Sequence, residues 1–408
     1  MGARIFYRLE PKHPLMRIPR QLPKDSKLFA HNVIQYWCRI IICSCIIIYG
    51  LTHLVLHHFN ITLEQMKTPY LDNHKLVSKA SKRRVNMGNC TPIHGKVGIF
   101  IADTPSRRPK HRMAYATIDC YVKGTDYKLL RINLADDTRT KEACSKHKEF
   151  LFRRHCAASI YVQDVDWLLI LDTNIGVVNP NHCIEEWIDD RVDVILYETL
   201  FTYEISAASL MVRNSKYGKE FLTGLAEREF NQERARSGAY NGVIHQYVLD
   251  IVIPDAVQFR DNCHNLWLRA NTEEMYMEHL SCVKQAIGAT RLWPGKVRIY
   301  RRAHAWVRES FTGPRWHDLD FMIQLRKRYK YQKQANPFPR IPDLSACGGG
   351  LNGWQYRNDS HISTEEFGNE VERIEDDVPR WYPEPAKRVY WITMGEVGDC
   401  YPDCDKLT

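Results

Sequence analysis

The chain has 408 residues, 44% of them apolar and 26% charged, a composition that excludes a disordered or low-complexity protein and leaves room for one large core or two modest ones. Its formal charge of +9 is spread over residues 4–27, 82–84, 107–112 and 326–333, so charge alone does not choose between phosphate, a membrane surface and nucleic acid as an acidic partner.

The first element in chain order is residues 40–56, an unbroken run without Asp, Glu, Lys or Arg. At about 1.5 Å per residue it spans roughly 25 Å as a helix, enough for a thin bilayer. Tyr36, Trp37 and Arg39 stand at its start, where anchoring side chains belong. Arg4, Arg8, Lys12, Arg17, Arg20, Lys24, Lys27 and Arg39 outweigh Glu10 and Asp25 on the N-terminal flank, whereas His57, His58 and Phe59 follow the run. The positive-inside rule then puts the N-terminus in the cytosol. The long basic flank and the lack of a small-x-small site argue against a cleaved signal peptide, and a buried core helix is the remaining alternative, since Thr52 and His53 weaken the run. The expected order is a cytosolic basic tail over 1–32, a transmembrane signal anchor over 33–58 and a polar, basic stem over 59–95.

Of thirteen cysteines, Cys38, Cys43 and Cys45 lie in or beside the apolar run, and an even set remains beyond it: Cys90, Cys120, Cys144, Cys156, Cys183, Cys263, Cys282, Cys347, Cys400 and Cys404. In an oxidising lumen some of these pair, with connectivity left open; Cys400 and Cys404 read as a clip in a short tail rather than a zinc site. Sequons at Asn60, Asn89 and Asn358 agree with a lumenal fate but are no more than chance supplies.

Residues 96–335 read as the folded domain. Residues 97–102 (VGIFIA) form an apolar run stopped by Asp103-Thr104-Pro105, as for a strand buried on both faces. Apolar runs and helical stretches then alternate through 114–122, 127–132, 146–161, 167–171, 192–197, 208–212, 215–226 and 243–249. This pattern predicts an α/β sandwich with a mostly parallel sheet. Past Asn336, three prolines, Gly348-Gly349-Gly350 and an acidic stretch over 365–377 read as a loop-rich C-terminal appendage over 336–408.

In such a sheet ligands gather at the carboxyl ends of strands. Residues 167–171 (WLLIL) are followed at once by Asp172-Thr173-Asn174, two oxygen-bearing side chains one residue apart that can share a hard divalent cation bridging a diphosphate. Asp164 and Asp166 have the same spacing at the wrong end of the strand, and Asp172 read by itself is more often a turn or cap carboxylate than a metal ligand.

Residues 150–180 (FLFRRHCAASIYVQDVDWLLILDTNIGVVNP), with 192–197, 204–214 (EISAASLMVRN) and 241–245, resemble the domain-of-unknown-function family 273 of putative nucleotide-diphospho-sugar transferases, over roughly 96–330. More distantly the group is similar to glycosyltransferase family 34, which has the GT-A fold and holds manganese and the donor diphosphate on an Asp-x-Asp motif. The resemblance implies a GT-A-like sheet sandwiched by helices, with Asp172 and Asn174 as metal and donor ligands. It also implies Ala207 and Ala208 lining the donor sugar and Asn241 at the head of the following helix. His245 is a candidate donor or acceptor contact, or a helix histidine satisfied by its neighbours. Three departures stand out: Asn174 replaces the second acid, Tyr240 stands where an aspartate is expected, and Gln324 where a metal-ligating histidine is expected. Together they remove charge and a nitrogen ligand from the metal shell.

The implied protein is a type II membrane glycosyltransferase of the Golgi or endoplasmic reticulum. It takes a nucleotide sugar and Mn2+ and transfers the sugar to a glycan or glycoprotein acceptor. The alternative is a catalytically inactive lumenal binding or partner-recruiting module. A third reading, a disulfide-stabilised lumenal protein without a nucleotide site, rests on composition alone. Residues 326–331 (RKRYKY) interleave cations with aromatics as nucleic-acid surfaces do, but a lumenal topology excludes that partner and leaves a pyrophosphate clamp or a solvated face. Arg107 and Arg108 follow the first strand at the end where a nucleotide would lie, unless they belong to a plain surface loop.

Overall fold

The computed structural model describes residues Leu51, 90–200, 203–231, 239–309, 312–325, 336–388 and 396–404. The chain divides into Met1–Lys79, of which only Leu51 is described, and Ala80–Thr408. The apolar run 40–56 apart from Leu51, the sequons at Asn60 and Asn89, Cys38, Cys43 and Cys45, and the basic run 326–333 therefore lie outside the described residues, as does the stem up to Asn89. Among the described residues no helix is long and apolar enough to cross a membrane.

The second unit is built on seven strands among the described residues. These are β1 (Val97–Asp103), β2 (Lys128–Asn133), β3 (Trp167–Leu171), β5 (Val194–Tyr197), β6 (Ser209–Arg213), β7 (Leu292–Trp293) and β8 (Val297–Tyr300), in the order β2-β1-β3-β6-β5-β8-β7. Four of them, β1, β3, β5 and β6, read as nearly continuous apolar runs because both of their faces are covered. Alternate residues split between two cores, as a period of two requires. Phe100, Leu168, Ile170, Leu196 and Leu210 face one way, into a layer of helices: α3 (Phe150–Tyr161), α4 (Lys216–Asn231), α5 (Ala239–Val252), α6 (Val257–Arg269) and α7 (Glu273–Ile287). Ile99, Ile101, Leu169, Leu171 and Met211 face the other way. There they meet α1 (Arg112–Val122) and a small second sheet of β4 (Ile175–Val177), β9 (Val307–Glu309) and β10 (Met322–Gln324). A short helix α2 (Thr138–Cys144) links β2 to α3, its start capped by the Asp137 carboxylate accepting the Thr140 amide.

The sheet is mostly parallel in strand direction, as expected, with two strands reversed. Strands β2, β1, β3, β5 and β8 run one way, but β6 pairs antiparallel with both β3 and β5, and β7 antiparallel with β8. Parallel neighbours need a long crossover, and β5 returns to β6 through a loop without a helix, so β6 reverses direction.

The C-terminal part is also more ordered than a loop-rich appendage. Residues 364–381 form α8 (Thr364–Trp381), started by Ser363, whose hydroxyl accepts the Glu366 amide at 3.0 Å, and followed by α9 (Pro383–Arg388). Phe367, Val371, Ile374 and Val378, spaced at helical intervals among the acids, bury one face of α8. Its Glu375 pairs with the fully buried Arg302, and both oxygens accept backbone N–H groups of Glu396, Val397 and Gly398. Five disulfides join all ten cysteines beyond the apolar run: Cys90–Cys183, Cys120–Cys347, Cys144–Cys156, Cys263–Cys282 and the expected Cys400–Cys404.

Candidate functional site

The three adjacent strands β2, β1 and β3 end side by side. In register, Asp103 of β1 lies opposite Asn133 of β2, and Ile101 opposite Leu171 of β3, so Asn133, Asp103 and Asp172 share the carboxyl edge of the sheet. Beside that edge lies a cavity of about 440 Å³ lined by Asp103, Pro105, Arg108, Pro109, Arg112 and Asn133, within the size range of small-ligand sites. Asp103 is held by the Thr104 amide at 2.7 Å and by Arg108 Nε at 3.0 Å. Burial pushes the nearby Tyr115 phenol up, and the hydrogen bond and charge of Asp103 add to this.

Asp172 is fixed by its backbone, its amide donating to Ala208 O at 2.8 Å and its carbonyl accepting from Ile175 N at 3.1 Å. Its Oδ1 accepts from Arg154 Nη1 at 2.5 Å, and the second guanidinium arm of Arg154 donates to Ala207 O. Arg154 is fully buried whereas the Asp172 side chain is 32% exposed. Burial lowers the pKa of Arg154, Asp172 opposes that, and the charge of nearby Arg107 adds to the lowering. Arg107 in turn lies 3.7 Å over the ring of Phe150, one helical turn before Arg154 on α3.

The structure brings together four of the six expected site residues. Ala207 and Ala208 back the Asp172–Arg154 pair as just described, and the Ala208 amide also donates to Ser206 Oγ at 3.2 Å. Asn174 follows two residues after Asp172; its carbonyl accepts from Leu325 N at 2.7 Å, and its side-chain Oδ1 is buried with no partner among the described residues. Gln324 sits on β10 opposite Ile175 and Glu309, next to Asn174, at the place where the resemblance expects the last metal ligand. Ser206 Oγ donates to Tyr197 OH at 2.9 Å, and the Tyr197 phenol is pushed up by burial first and by the charge of Glu309 second.

The other two expected residues have different tasks. Asn241 Nδ2 donates to Glu204 Oε1 at 2.9 Å, which also accepts from Tyr276 OH at 2.8 Å, so its amide ties α5 to the loop before Ala207. His245 is buried and its Nε2 accepts the Ile205 amide at 3.0 Å. Burial, with His279 and Lys284 adding, holds it well below the usual histidine range and therefore neutral. This geometry agrees with a helix histidine satisfied by its neighbours. The side chain of Tyr240 lies outside the described residues.

The donor set fits a resident divalent cation poorly. It offers Asp172, already neutralised by a buried guanidinium, the neutral amides Asn174 and Gln324, and Glu309, which lies opposite Gln324 and accepts the Leu200 amide. Among the described residues no group of three or more His, Cys, Asp or Glu is placed to hold a metal. Sequence reasoning missed Arg154, although it falls on the helical stripe of Phe150, Ala158 and Tyr161, where a cation needs a buried partner. Asp103 and Asn133 were signalled only as the polar residues that close two apolar runs.

The model of a family described as "Protein of unknown function, DUF273" matches residues 118–340, more than half of the 408-residue chain. No curated protein matches. Among solved structures, similarity extends to a glycosyltransferase involved in glycosylation of the major capsid of PBCV-1, at 14% identity and a TM-score of 0.36, covering 57% of this chain and 95% of that one. It also extends to apo GlyE of Streptococcus pneumoniae TIGR4 at 16% identity and TM-score 0.26, covering 39% and 43%. A third is a mannosyltransferase, PcManGT from Pyrobaculum calidifontis with GDP-Man and Mn2+, at 8% identity and TM-score 0.25, covering 54% and 77%.

Proposed function

Because this chain belongs to the family described as protein of unknown function, DUF273, and its Asp172-Thr173-Asn174 turn after a buried strand resembles the Asp-x-Asp motif of nucleotide-sugar transferases, we propose that it is a glycosyltransferase-like protein. The donor's nucleoside diphosphate would lie along the carboxyl edge of β2, β1 and β3, with the sugar toward Ala207 and Ala208. The observation that carries this reading is the turn after β3. It sets Asp172 on the same sheet edge as Asp103 and Asn133, which line the 440 Å³ cavity, and leaves the Asn174 Oδ1 atom buried without a partner among the described residues. A buried unpaired carbonyl costs about 1–3 kcal/mol, a cost that a bound ligand relieves.

The reaction breaks the bond between the sugar's anomeric carbon and the diphosphate oxygen. The bonding pair leaves with the diphosphate, an acceptor hydroxyl oxygen bonds the anomeric carbon, and its proton passes to the departing diphosphate. This chain's part is electrostatic: the guanidinium groups at the edge stabilise the leaving group as its charge grows. The apolar run 40–56 with its basic flank supports a type II anchor in the Golgi or endoplasmic reticulum, with the sheet domain in the lumen and a glycan or glycoprotein as acceptor.

The test is calorimetry and thermal unfolding of the full-length, detergent-solubilised chain with UDP- and GDP-sugars. Saturable binding of one donor, with slow release of its nucleoside diphosphate, is expected; no response to any donor would sink the reading. A second reading, a binding module without turnover, is favoured by the commitment of Asp172 to Arg154 and by Gln324. Binding with no donor hydrolysis, alone or with glycoprotein acceptors, would select it.

A further inference from the structure

The arrangement around Asp172 has an unusual charge balance for a site that holds a diphosphate. Its one acid at the turn is bound at 2.5 Å by Arg154, which is fully buried and cannot turn away into water. A divalent cation bound at Asp172 would therefore sit beside a fixed positive charge, and among the described residues no group of three or more His, Cys, Asp or Glu is placed to hold it. Repulsion at short range in a half-buried site is screened little. The same edge carries four guanidinium groups against two carboxylates. Arg107 lies on Phe150 near Arg154, and Arg108 and Arg112 line the cavity, Arg108 pairing with Asp103. Arg112 is exposed and has no ion-pair partner among the described residues.

We propose that this site binds a nucleoside diphosphate without a divalent cation, its charge met by Arg107, Arg112 and the buried Arg154, while Asp172 acts as the positioning residue that holds Arg154 in place. This rests on the donor-site reading above. Guanidinium groups form short, charge-assisted hydrogen bonds to phosphate oxygens and need no proton or metal to stay charged. Arg154 acts through its field and through the Ala207 carbonyl it holds, since it is too buried to touch the ligand.

The experiment is isothermal titration of the full-length chain with UDP and with GDP, in EDTA and in Mn2+, together with electron paramagnetic resonance of Mn2+ added to the protein alone. The expected result is an affinity that differs by less than about threefold between EDTA and Mn2+, with no stoichiometric Mn2+ binding by the protein alone. The Asp172→Asn variant, which keeps a hydrogen-bond acceptor for Arg154 but removes the negative charge, should bind the same nucleotide in EDTA as tightly or more tightly. Arg112→Ala should weaken it about tenfold. A nucleotide that binds only with Mn2+, and is lost in Asp172→Asn, overturns this proposal and leaves the donor-site reading standing. No binding of either nucleotide under either condition overturns both. The comparison of EDTA with Mn2+ uses the unaltered chain, so it decides the matter even if a variant fails to fold.

Discussion

The pair formed by Arg154 and Asp172 should be asymmetric under mutation, in a direction opposite to what exposure alone suggests. Arg154 is fully buried and Asp172 is 32% exposed, so truncating the acid strands a charge that water cannot reach, whereas truncating the base leaves a carboxylate that water can hydrate. Breaking a buried ion pair typically costs about 3–5 kcal/mol; the partial exposure of Asp172 puts Asp172→Ala near the low end, at about 3 kcal/mol. Arg154→Met fills much of the same volume and loses chiefly the bond to the Ala207 carbonyl, about 1–2 kcal/mol. In a domain of this size, about 2 °C of melting temperature per kcal/mol translates these into shifts of about 6 °C and 3 °C. Thermal unfolding of the full-length chain, followed by near-ultraviolet circular dichroism with the disulfides oxidised, reads both. The double variant should be more stable than Asp172→Ala alone, because no charge is left stranded. If Arg154→Met costs as much as Asp172→Ala, or the two effects add, the pair is not a stranded-charge device and the electrostatic account of the site fails.

Three further outcomes are expected. Glu375→Ala removes one of the two carboxylates paired with buried Arg302, leaving Glu396, and the acceptor of three backbone N–H groups, costing about 3 kcal/mol; faster hydrogen exchange at Val397 and Gly398 checks it. Gly242→Ala places a Cβ 2.3 Å from Nε1 of the fully buried Trp267, an overpacking of about 1–3 kcal/mol that red-shifted tryptophan emission and a lowered melting temperature would report. His155, His245 and His279 are all held by burial below the ordinary histidine value of about 6.5, His279 at about 4. Depressed folded-state values mean that the unfolded chain takes up protons first, so stability is lost as pH falls below about 6.5, by up to about 1.4 kcal/mol per pH unit for each histidine. His182, raised by Glu186 and the Asp318 carbonyl against burial, offsets this partly. A melting temperature that is flat or rising from pH 7 to pH 5 would refute the burial account.

The sheet was legible because its central strands are covered on both faces and so appear as apolar runs. Residues 97–102 and 167–171 are read directly as β1 and β3, and the polar residue closing the second run is Asp172. What the sequence hides is pairing across distance. The direction of β6 depends on a return loop whose conformation has no local pattern, and the partner of Asp172 lies a helix away at Arg154. His245 looked equally suited to chemistry or packing, since only the position of the Ile205 amide decides between them. Helix α8 was obscured by its acids, although Ser363 with Phe367, Val371, Ile374 and Val378 carries both the cap and the helical spacing.

The bond between Cys120 and Cys347 spans 227 positions, which matters for how the protein is made. A ribosome adding roughly 5–20 residues per second delivers Cys347 about 10–45 s after Cys120. During that interval Cys144, Cys156, Cys183, Cys263 and Cys282 all emerge while Cys120 has no correct partner, so thiol exchange has to repair early mistakes. A fragment cut at the limits of the family match, 118–340, would keep Cys120 without Cys347 and Cys183 without Cys90. Such a fragment would carry two thiols that the whole chain never leaves free, and the unit that matures as one piece reaches from Cys90 to the far end of the Cys400–Cys404 clip.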